Sequence, residues 1–495
     1  MAFPHDDIRE LMEDCEKAGE LARITEEVDW NMEAGAISRR AMQIGGGSRS
    51  TKEGGQPAVL FENIKGYAKG YSILGNIIAN KKRAAIMFGH PDPEKATWRE
   101  LQDICMEGYD HPIKPVIVKD GPCKENKAFD DDCNLYMFPV PMIHDGDGGR
   151  YIATMANFNT VDKYTGWQNW GTYRSMVHDR RSLGCLMLHG QHGPDMYFDQ
   201  YEPANEPMPF AFVIAPDMLS NFAGGAPVPH GVDEADIVGG WRKKPLELVK
   251  CETSDILVPA GSEIVVEGIF PPKIRAFEGP FGEYTGFRAS PRDKRPVGVV
   301  KCITWRNNPI MGMSNVGFSV SESDVIEGIS KGAIYKRILL DAGWPVVDVN
   351  CLPEATDFIA VSVKKGRPRV ANGIMSVIQN SPCAIYSYKV LVCDEDTDVF
   401  SLEEIIHTIT EKVHPERGIH VWRQQGSALA PYGDLKERLD QTAPQLLFDA
   451  TWPLDWPLEI AVPPKVSFNE IYPKEIQEKV LQKWTKYGLK ESPDK

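Results

Sequence analysis

The sequence lacks the short motifs that identify several common classes of enzyme. It has no Gly-x-Gly-x-x-Gly after a predicted strand, no Walker loop, no Gly-x-Ser-x-Gly elbow at a strand-to-helix turn and no His-Glu-x-x-His. Nucleotide-driven, serine-hydrolase and zinc-protease functions therefore lose their usual support. The ten cysteines are scattered, and no two of them form a Cys-x-x-Cys pair. This distribution predicts reduced thiols, and neither a disulfide framework nor a zinc ribbon.

The chain also lacks an excess of positive charge and any long apolar run. Its 495 residues carry a net charge of −15, with 42% hydrophobic and 25% charged residues. This balance disfavours binding to nucleic acid or to an anionic membrane, because both need a positive footprint. The first residues have neither the basic nor the apolar segment of a signal peptide, and no apolar run approaches a membrane span. We expect a cytoplasmic protein of two or three domains.

Patterns of secondary structure divide the chain into three predicted domains. Residues 1–115 alternate helical and short apolar patterns, which is typical of a small α/β unit. Residues 116–318 hold dense strand patterns, such as Tyr151–Met155, and predict a β-barrel or sandwich core. Residues 319–495, with Ser323 as the first predicted N-cap, return to alternating strands and helices. The predicted fold class is α/β (α+β), with a layered C-terminal domain that ends in a helix.

The most informative stretch is Phe277–Phe287, which reads Phe-Glu-Gly-Pro-Phe-Gly-Glu-Tyr-Thr-Gly-Phe. Its glycines and proline rule out a regular helix or strand, so we expect a shaped loop. Its four aromatic residues are expected to seat the loop against a core and to keep part of it dry. Such surroundings raise the pKa of a carboxyl group towards neutrality. Glu278 and Glu283 therefore predict an acid–base loop, with an ordinary solvated loop as the alternative.

Polar residues upstream of this loop are candidates for binding. Arg174, at the end of the segment Asn169–Arg174, could hold a carboxylate in a bidentate pair, either a substrate's or one from the loop. His192 lies between glycines, and Glu234 lies in a turn framed by glycine and proline. One amide, one imidazole and one carboxylate suit a divalent ion that also holds a phosphate. A surface arginine and a structural histidine remain the alternatives.

Taken together, these segments resemble the UbiD-type reversible (de)carboxylases, which use prenylated FMN. The resemblance extends from the first predicted helix to the last. It implies an N-terminal α/β domain, a central split β-barrel that binds the flavin, and a C-terminal oligomerisation domain. The matching segments are Glu278–Glu283, Asn169–Arg174, Gly190–His192, Gly231–Ala235, Leu246–Cys251, Val258–Glu263, Gly121–Asn126 and Asp145–Gly149.

The resemblance implies catalytic roles for three residues. Arg174, Glu278 and Glu283 match the Glu-Arg-Glu network of the family. Glu283 would be the proton donor. Arg174 and Glu278 would fix its ionisation and engage the carboxylate of the substrate.

The resemblance also implies the ligands of the cofactor and its ions. Manganese, or another divalent ion, would bind Asn169, His192 and Glu234 against the flavin phosphate. Potassium would bind nearby through backbone oxygens, near Trp170, Ala223 and Ala226. The residues implied to contact the flavin or its ions are Asn169, Trp170, Thr172, Tyr173, Arg174, Gln191, His192, Ala226 and Glu234.

The implied reaction is the non-oxidative, reversible decarboxylation of an aromatic, heteroaromatic or α,β-unsaturated carboxylic acid. It would run through a covalent adduct with the cofactor, which a flavin prenyltransferase would supply. Members of the family form dimers or hexamers of dimers, so we expect a homodimer or homohexamer. The predicted last helix, Pro473–Tyr487, has an apolar face that must dock on its own domain or on a neighbouring subunit.

Some positions depart from the family's ferulate-type members and leave alternatives open. Ala226 stands where those members have methionine, which indicates a different substrate shape. The segment Asn380–Cys383 lacks their flavin-contacting lysine, and Lys389 is displaced by several positions. One alternative is a physiological carboxylase, or a decarboxylase of CoA thioesters that uses the basic stretch Trp241–Lys244. Another is a non-catalytic flavin-binding subunit of a larger carboxylase.

Overall fold

The computed structural model describes most of the chain, namely residues 3–44, 49–318, 320–381, 384–423, 426–457 and 460–490. The outer limits of the first and third predicted domains, together with Ser319, Pro382 and Cys383, lie outside these ranges. Within them, no helix is both long and apolar enough to cross a bilayer.

The N-terminal part folds as helices around short strands. Its strands are short, and β2 and β3 are buried at every position, as is typical of strands that are covered on both faces. Its elements are α1 (Ile8–Lys17), β1 (Leu21–Ile24), α2 (Glu33–Gln43), β2 (Ala58–Phe61), β3 (Ser72–Gly75), α3 (Lys81–Met87) and α4 (Trp98–Asp110).

The central part is dominated by strands. Its elements are β4 (Val116–Ile117), β5 (Asn126–Phe129), β6 (Ala156–Val161), β7 (Gln168–Gly171), β8 (Ser175–Val177), β9 (Ser182–Cys185), α5 (His192–Asp195), β10 (Met208–Ile214), α6 (Met218–Gly225), α7 (Glu234–Arg242), β11 (Glu247–Lys250), β12 (Leu257–Pro259), β13 (Ile264–Phe270), β14 (Arg275–Glu278), β15 (Asp293–Trp305) and β16 (Ile310–Met313).

These strands form one large sheet and one small sheet, and the last strand joins the N-terminal sheet. The large sheet runs in the order β7-β6-β10-β13-β15-β9-β8, and β5 and β14 also pair with β15. It curves as a half-barrel. Strands β12, β11 and β4 make a separate sheet, while β16 pairs in parallel with β3 and completes the N-terminal sheet in the order β1-β2-β3-β16. The last strand of the central segment therefore ties the first two parts of the chain together.

The C-terminal part is a layered α/β unit. Its five-stranded sheet has the order β17-β18-β19-β21-β20, with three parallel inner strands and antiparallel edges. Its elements are α8 (Glu322–Asp341), β17 (Val346–Cys351), β18 (Phe358–Val363), α9 (Val370–Gln379), β19 (Lys389–Asp394), α10 (Leu402–Lys412), β20 (Ile419–Trp422), α11 (Leu435–Leu439), β21 (Gln445–Ala450), α12 (Phe468–Ile471) and α13 (Lys474–Lys483). The mixed α/β fold with its central barrel-like sheet confirms the predicted fold class.

Two local predictions are wrong. Tyr151–Met155 is not a strand, since Tyr151 makes only an isolated bridge and the strand begins at Ala156. The segment is apolar and buried for tertiary reasons, which produces the pattern of a buried strand without a ladder. The N-cap of α8 is Ser321 and not Ser323, because the Ser321 hydroxyl donates to the carboxylate of Asp324 in a capping box.

Helix α8 also contains a sequence that resembles a nucleophile elbow. Gly328–Gly332 reads Gly-Ile-Ser-Lys-Gly, but the segment lies in the middle of the helix. There the Ser330 hydroxyl donates to the carbonyl of Ile326 at 2.7 Å. An elbow needs an exposed serine on a sharp turn between strand and helix, so this segment cannot act as one.

Helices α4 and α7 cross so closely that one position has no room for a methyl group. A Cβ added to Gly108 would lie 1.9 Å from Cδ1 of Trp241, whose indole is buried and donates to Cys105 O at 2.8 Å. We predict that Gly108→Ala lowers the free energy of unfolding by about 2 kcal/mol, although alanine favours helices. Glu107→Ala on the exposed side is the control and should change little. Urea denaturation measures both, and equal midpoints would contradict the prediction.

Candidate active site

Arg174 and Glu278 form a buried bidentate ion pair. Arg174 lies in the loop between β7 and β8, and Glu278 is the last residue of β14. Arg174 Nε donates to Glu278 Oε1 at 3.0 Å, and Nη2 donates to Oε2 at 2.9 Å. The hydroxyl of Tyr151 donates to the same Oε1 at 2.7 Å. Three donors therefore hold the Glu278 carboxylate, which is 1% exposed.

Arg174 contacts a second carboxylate at the same time. Its Nη1 donates to Oε1 of Glu283, which is also buried. Arg174 and Glu283 line a cavity of about 300 Å³, whereas Glu278 does not. The two glutamates are therefore not equivalent, because Glu278 holds the guanidinium from behind and Glu283 faces the cavity.

The loop that carries Glu283 is held by backbone and ring contacts. Gly148 N donates to Pro280 O at 2.7 Å, and Gly282 N donates to Asp147 Oδ1 at 3.0 Å. A Cβ at Gly282 would lie 2.7 Å from the ring of His144, so this backbone position needs glycine. These contacts position the shaped loop that the sequence predicts.

The aromatic residues of the loop divide between core and solvent. The Phe281 ring is buried, with its centroid 4.2 Å from that of Tyr151 and 5.5 Å from the guanidinium carbon of Arg174. Phe277 and Phe287 are 50% and 62% exposed. The expectation that all four rings seat the loop on the core is therefore wrong for these two. The sequence shows four aromatic residues but not which way each one points.

Tyr151 is a site residue that the sequence reading missed. Desolvation by burial, followed by the nearby charge of Glu278, raises the pKa of its hydroxyl well above its usual value. The hydroxyl therefore remains a donor to Glu278 at every physiological pH. No motif marks this residue, because it lies 127 positions from its partner.

Asn169, His192 and Glu234 converge at another wall of the same cavity. Asn169 lies on β7, while His192 and Glu234 begin α5 and α7. Asn169 Nδ2 donates to Glu234 Oε1 at 2.8 Å and lies 3.4 Å from His192 Nδ1. The backbone N–H of Trp170 donates to Glu234 Oε2 at 3.0 Å. Three segments that are distant in sequence thus place an amide, an imidazole and a carboxylate together.

The chemistry of this cluster fits a divalent cation. Asn169 Oδ1 is buried and has no hydrogen-bond partner among the described residues. Burial raises the pKa of Glu234 to about 8, and it lowers the pKa of His192. A neutral imidazole, a free amide oxygen and a carboxylate that lacks a cation are the donors that manganese or magnesium accepts.

All the residues expected to contact a flavin line this one cavity, which extends from the metal-type cluster to Glu283. Those residues are Asn169, Trp170, Thr172, Tyr173, Arg174, Gln191, His192, Ala226 and Glu234.

The three carbonyls proposed for potassium each accept one hydrogen bond. Trp170 O accepts from Asn169 Nδ2 at 3.3 Å, and Ala223 O accepts from Ala226 N at 3.2 Å. Ala226 O accepts from Val228 N at 2.9 Å. Since a carbonyl oxygen has two lone pairs, one remains on each for a cation. Ala223, unlike the other two, does not line the cavity.

The sequence reading placed every candidate site residue in the central segment, but the far wall of the cavity comes from elsewhere. Glu322, Glu327 and Lys331 reach it from α8, and Tyr386 reaches it from the C-terminal part. Lys331 is buried, contacts Glu327 and lies 3.5 Å from Asp357. Burial raises the pKa of Asp357 to about 7. Helix α8 shows only helical periodicity in the sequence, so nothing there indicates a site.

Two basic candidates do not contribute to the cavity. Lys389 lies on β19, with its ammonium 4.3 Å from the ring centroid of Tyr432. In the stretch Trp241–Lys244, Trp241 and Arg242 are buried and Lys244 pairs with Asp6 at 2.6 Å. Neither Lys389 nor this stretch lines the cavity.

Comparison with known families identifies the class. Three models of the UbiD family, 3-octaprenyl-4-hydroxybenzoate carboxy-lyase, match the chain: the N-terminal domain over residues 12–104, the Rift-related domain over 114–318 and the C-terminal domain over 330–450. The chain belongs to the UbiD family. This confirms the predicted family and, with it, the predicted class of enzyme, a carboxy-lyase.

Individual relatives extend the comparison over almost the whole chain. The phenolic acid decarboxylase of Sedimentibacter hydroxybenzoicus is 32% identical over 85% of this chain and 87% of its own. The pyrrole-2-carboxylic acid decarboxylase of Pseudomonas aeruginosa is 28% identical over 98% of each. The vanillic acid decarboxylase of S. hydroxybenzoicus in its closed form superposes with a TM-score of 0.86, at 30% identity over 97% of this chain and 99% of that one. An evolved dimeric form of the UbiD-class enzyme HmfF from Pelotomaculum thermopropionicum, solved with prFMN, superposes with a TM-score of 0.75 at 26% identity over 93% of this chain and 97% of that one.

Tyr151→Phe tests whether the hydroxyl of this residue stabilises the buried ion pair. The change removes a donor from a buried carboxylate and adds no new contact, so we predict a loss of about 1–2 kcal/mol in the free energy of unfolding. Tyr164→Phe, at a side chain that is 73% exposed, is the matched control and should be neutral. Both are measured by urea denaturation, and a loss equal to the control's would contradict the role assigned to Tyr151.

Proposed function

We propose that this chain is a prenylated-FMN-dependent enzyme of the cytoplasm that reversibly decarboxylates an aromatic, heteroaromatic or α,β-unsaturated carboxylic acid. The observation that supports this most directly is one cavity with the Arg174–Glu283 pair at one wall and Asn169, His192 and Glu234 at another. The relatives named above are decarboxylases of unsaturated ring acids by their names. HmfF, a structural neighbour, is solved with prFMN.

The residues of the cavity fit the cofactor and its ions. When bound, prenylated FMN supplies an acceptor for the electrons of the carbon–carbon bond that breaks. Asn169 Oδ1, Glu234 and His192 would hold manganese against the flavin phosphate. The carbonyls of Trp170, Ala223 and Ala226 would hold potassium. A flavin prenyltransferase would provide the cofactor.

The charges around Arg174 explain how Glu283 can carry a proton. One guanidinium lies between two buried carboxylates, so the fully ionised group has an excess negative charge in a site with little water. A single proton balances this excess negative charge. Because Glu278 already accepts hydrogen bonds from three donors and Glu283 faces the cavity, we place this proton on Glu283.

In this arrangement each residue has a role in the decarboxylation reaction. The guanidinium of Arg174 binds and orients the carboxylate of the substrate. Once carbon dioxide leaves, Glu283 Oε donates its proton to the carbon that carried it. Phe281 and Tyr151 keep water from the pair. In the carboxylation direction, Glu283 takes the proton back.

Two structural observations disfavour the alternatives of a CoA-thioester decarboxylase and a silent flavin-binding subunit. The stretch Trp241–Lys244, which would serve a CoA phosphate, lies away from the cavity, so an acid that is not a thioester is favoured. A silent flavin-binding subunit would have no need for Arg174, Glu278 and Glu283, yet all three are present and in contact.

The test uses protein co-expressed with a flavin prenyltransferase. We predict that the native chain carries prenylated FMN and manganese and releases carbon dioxide from members of a panel of free unsaturated acids. Glu283→Gln should keep both ligands but lose at least about 100-fold in rate, because it has no proton to give. Glu234→Gln should lose manganese and most of the flavin.

Mass spectrometry reports the bound flavin, metal analysis reports the bound manganese, and carbon dioxide release reports the rate. A Glu283→Gln protein that turns over at the native rate would contradict the assigned proton donor. A native protein that carries full cofactor but releases no carbon dioxide from free acids or thioesters would favour the non-catalytic subunit.

The C-terminal helices are proposed to dock on a second copy of the chain. No residue of α12 or α13 is buried. Val466 is 82% exposed, and Ile471, Ile476 and Leu481 are between 39% and 42% exposed. Several exposed apolar side chains in one terminal segment are costly in water and are typical of an interface. They support the proposed homodimer or homohexamer.

We predict that Ile476→Glu together with Leu481→Glu shifts the native oligomer towards a smaller species. Two carboxylates in an apolar contact would weaken it strongly. Lys474→Glu together with Lys483→Glu, on the same helix, is the control. Light scattering coupled to size-exclusion chromatography gives the mass. An unchanged mass for the apolar variant would mean that this face is not the interface.

A further inference from the structure

A second cavity lies in the C-terminal part, and it differs from the first in charge. Its volume is about 460 Å³, and it shares no lining residue with the cavity that holds Arg174. The carboxyl ends of the parallel strands β18, β19 and β21 form its floor, through Val363, Asp394 and Thr451. In α/β sheets this edge is where ligands bind, because loops and helix N-termini meet there.

Cations outnumber anions around this cavity, in a chain whose net charge is −15. Three carboxylates line it, and one of them, Asp394, pairs with Lys412 at 3.2 Å. Six cations line it. Apart from Lys412, none of these cations lies within an ion-pair distance of a carboxylate in the described ranges. The six are Lys364, Lys365, Arg367, Arg369, Lys412 and Arg417.

Two of the cations are held in place by aromatic rings. The guanidinium carbon of Arg367 lies 3.8 Å from the ring centroid of Trp344, and Arg367 Nη1 donates to Gly343 O at 2.5 Å. The guanidinium carbon of Arg417 lies 5.3 Å from the ring centroid of Trp456. An arginine stacked in this way keeps its remaining N–H groups free and oriented, at little cost in side-chain entropy.

Two further groups at this cavity lack partners. Lys365 Nζ is buried and has no hydrogen-bond partner among the described residues. Helix α9 begins at Val370, beside the cavity, and no side chain of the described residues caps its N-terminus. A buried ammonium and the N–H groups of a first turn both attract an anion. A solvated basic loop would provide neither of them.

We propose that this cavity is a binding site for a phosphorylated small molecule, separate from the site of decarboxylation. The phosphate would lie between the N-terminus of α9 and the side chains of Lys365 and Arg367. A volume of this size accommodates more than one phosphate, and Trp452 offers an apolar face beside them. The proposal does not depend on the proposed function, since none of these residues contacts the first cavity.

The test titrates the full-length protein, loaded with its cofactor, with pyrophosphate and with ADP in a calorimeter. We expect one ligand per chain, bound more tightly than about 1 mM and more weakly as salt is added. Lys364→Gln together with Lys365→Gln should weaken binding by about tenfold or more. Lys52→Gln together with Lys95→Gln removes the same charge from exposed positions and should change the affinity by less than about twofold. The rate of decarboxylation should be unaffected in both double variants.

A second measurement uses the unaltered protein. Bound pyrophosphate should protect Lys364, which is exposed, from acylation, as read by mass spectrometry, while Lys52 and Lys95 react as before. Binding that the first variant does not weaken, or a lack of protection, would overturn the proposal. Protection that rises with protein concentration and without pyrophosphate would also overturn it, because a second copy of the chain would then cover the cavity.

Discussion

The rest of the site depends on one guanidinium that is shared by two buried carboxylates. Arg174 binds Glu278 through two parallel hydrogen bonds and reaches Glu283 with its remaining nitrogen. A guanidinium can do this because its donors are fixed in one plane, whereas a lysine offers only a point charge. Since Glu278, which also accepts from the Tyr151 hydroxyl, holds the arginine from behind, Glu283 is the group left at the cavity wall. The asymmetry between the two glutamates, which the sequence indicates only through the family resemblance, thus has a physical origin in packing.

The cavity joins chemistry from one part of the chain to a wall from another. The half-barrel and its connections provide Arg174, Glu283 and the Asn169 cluster, so the groups that would hold cofactor and proton lie on or beside its strands and at the starts of two helices. Helix α8 provides Lys331 and Glu327, a buried pair that lines the opposite side. A buried ion pair costs desolvation and gives little net stability, so its presence at a ligand cavity indicates a role in recognition.

Sequence reasoning found the parts of the site that have a local pattern. The two glutamates of Phe277–Phe287 are visible because glycine, proline and aromatic residues frame them, and the resemblance to a family brought the Asn169 cluster together. Tyr151 and Lys331 were missed, because each acts through a contact far away in sequence. The false strand at Tyr151–Met155 has the same origin, since burial alone produced the pattern that pairing usually explains. Local chemistry can be predicted from sequence, whereas long-range contacts need the fold.

The two cavities illustrate how a protein of negative net charge places ligands. The first contains buried carboxylates with few cations, together with an unpaired amide oxygen at Asn169, so it favours metal ions and a proton. The second contains cations with few carboxylates and an unpaired ammonium at Lys365, so it favours an anion. A buried polar atom without a partner costs free energy in the empty protein, and a ligand that satisfies it regains that cost. Each unpaired atom thus indicates the charge of the ligand that its cavity is built to accept.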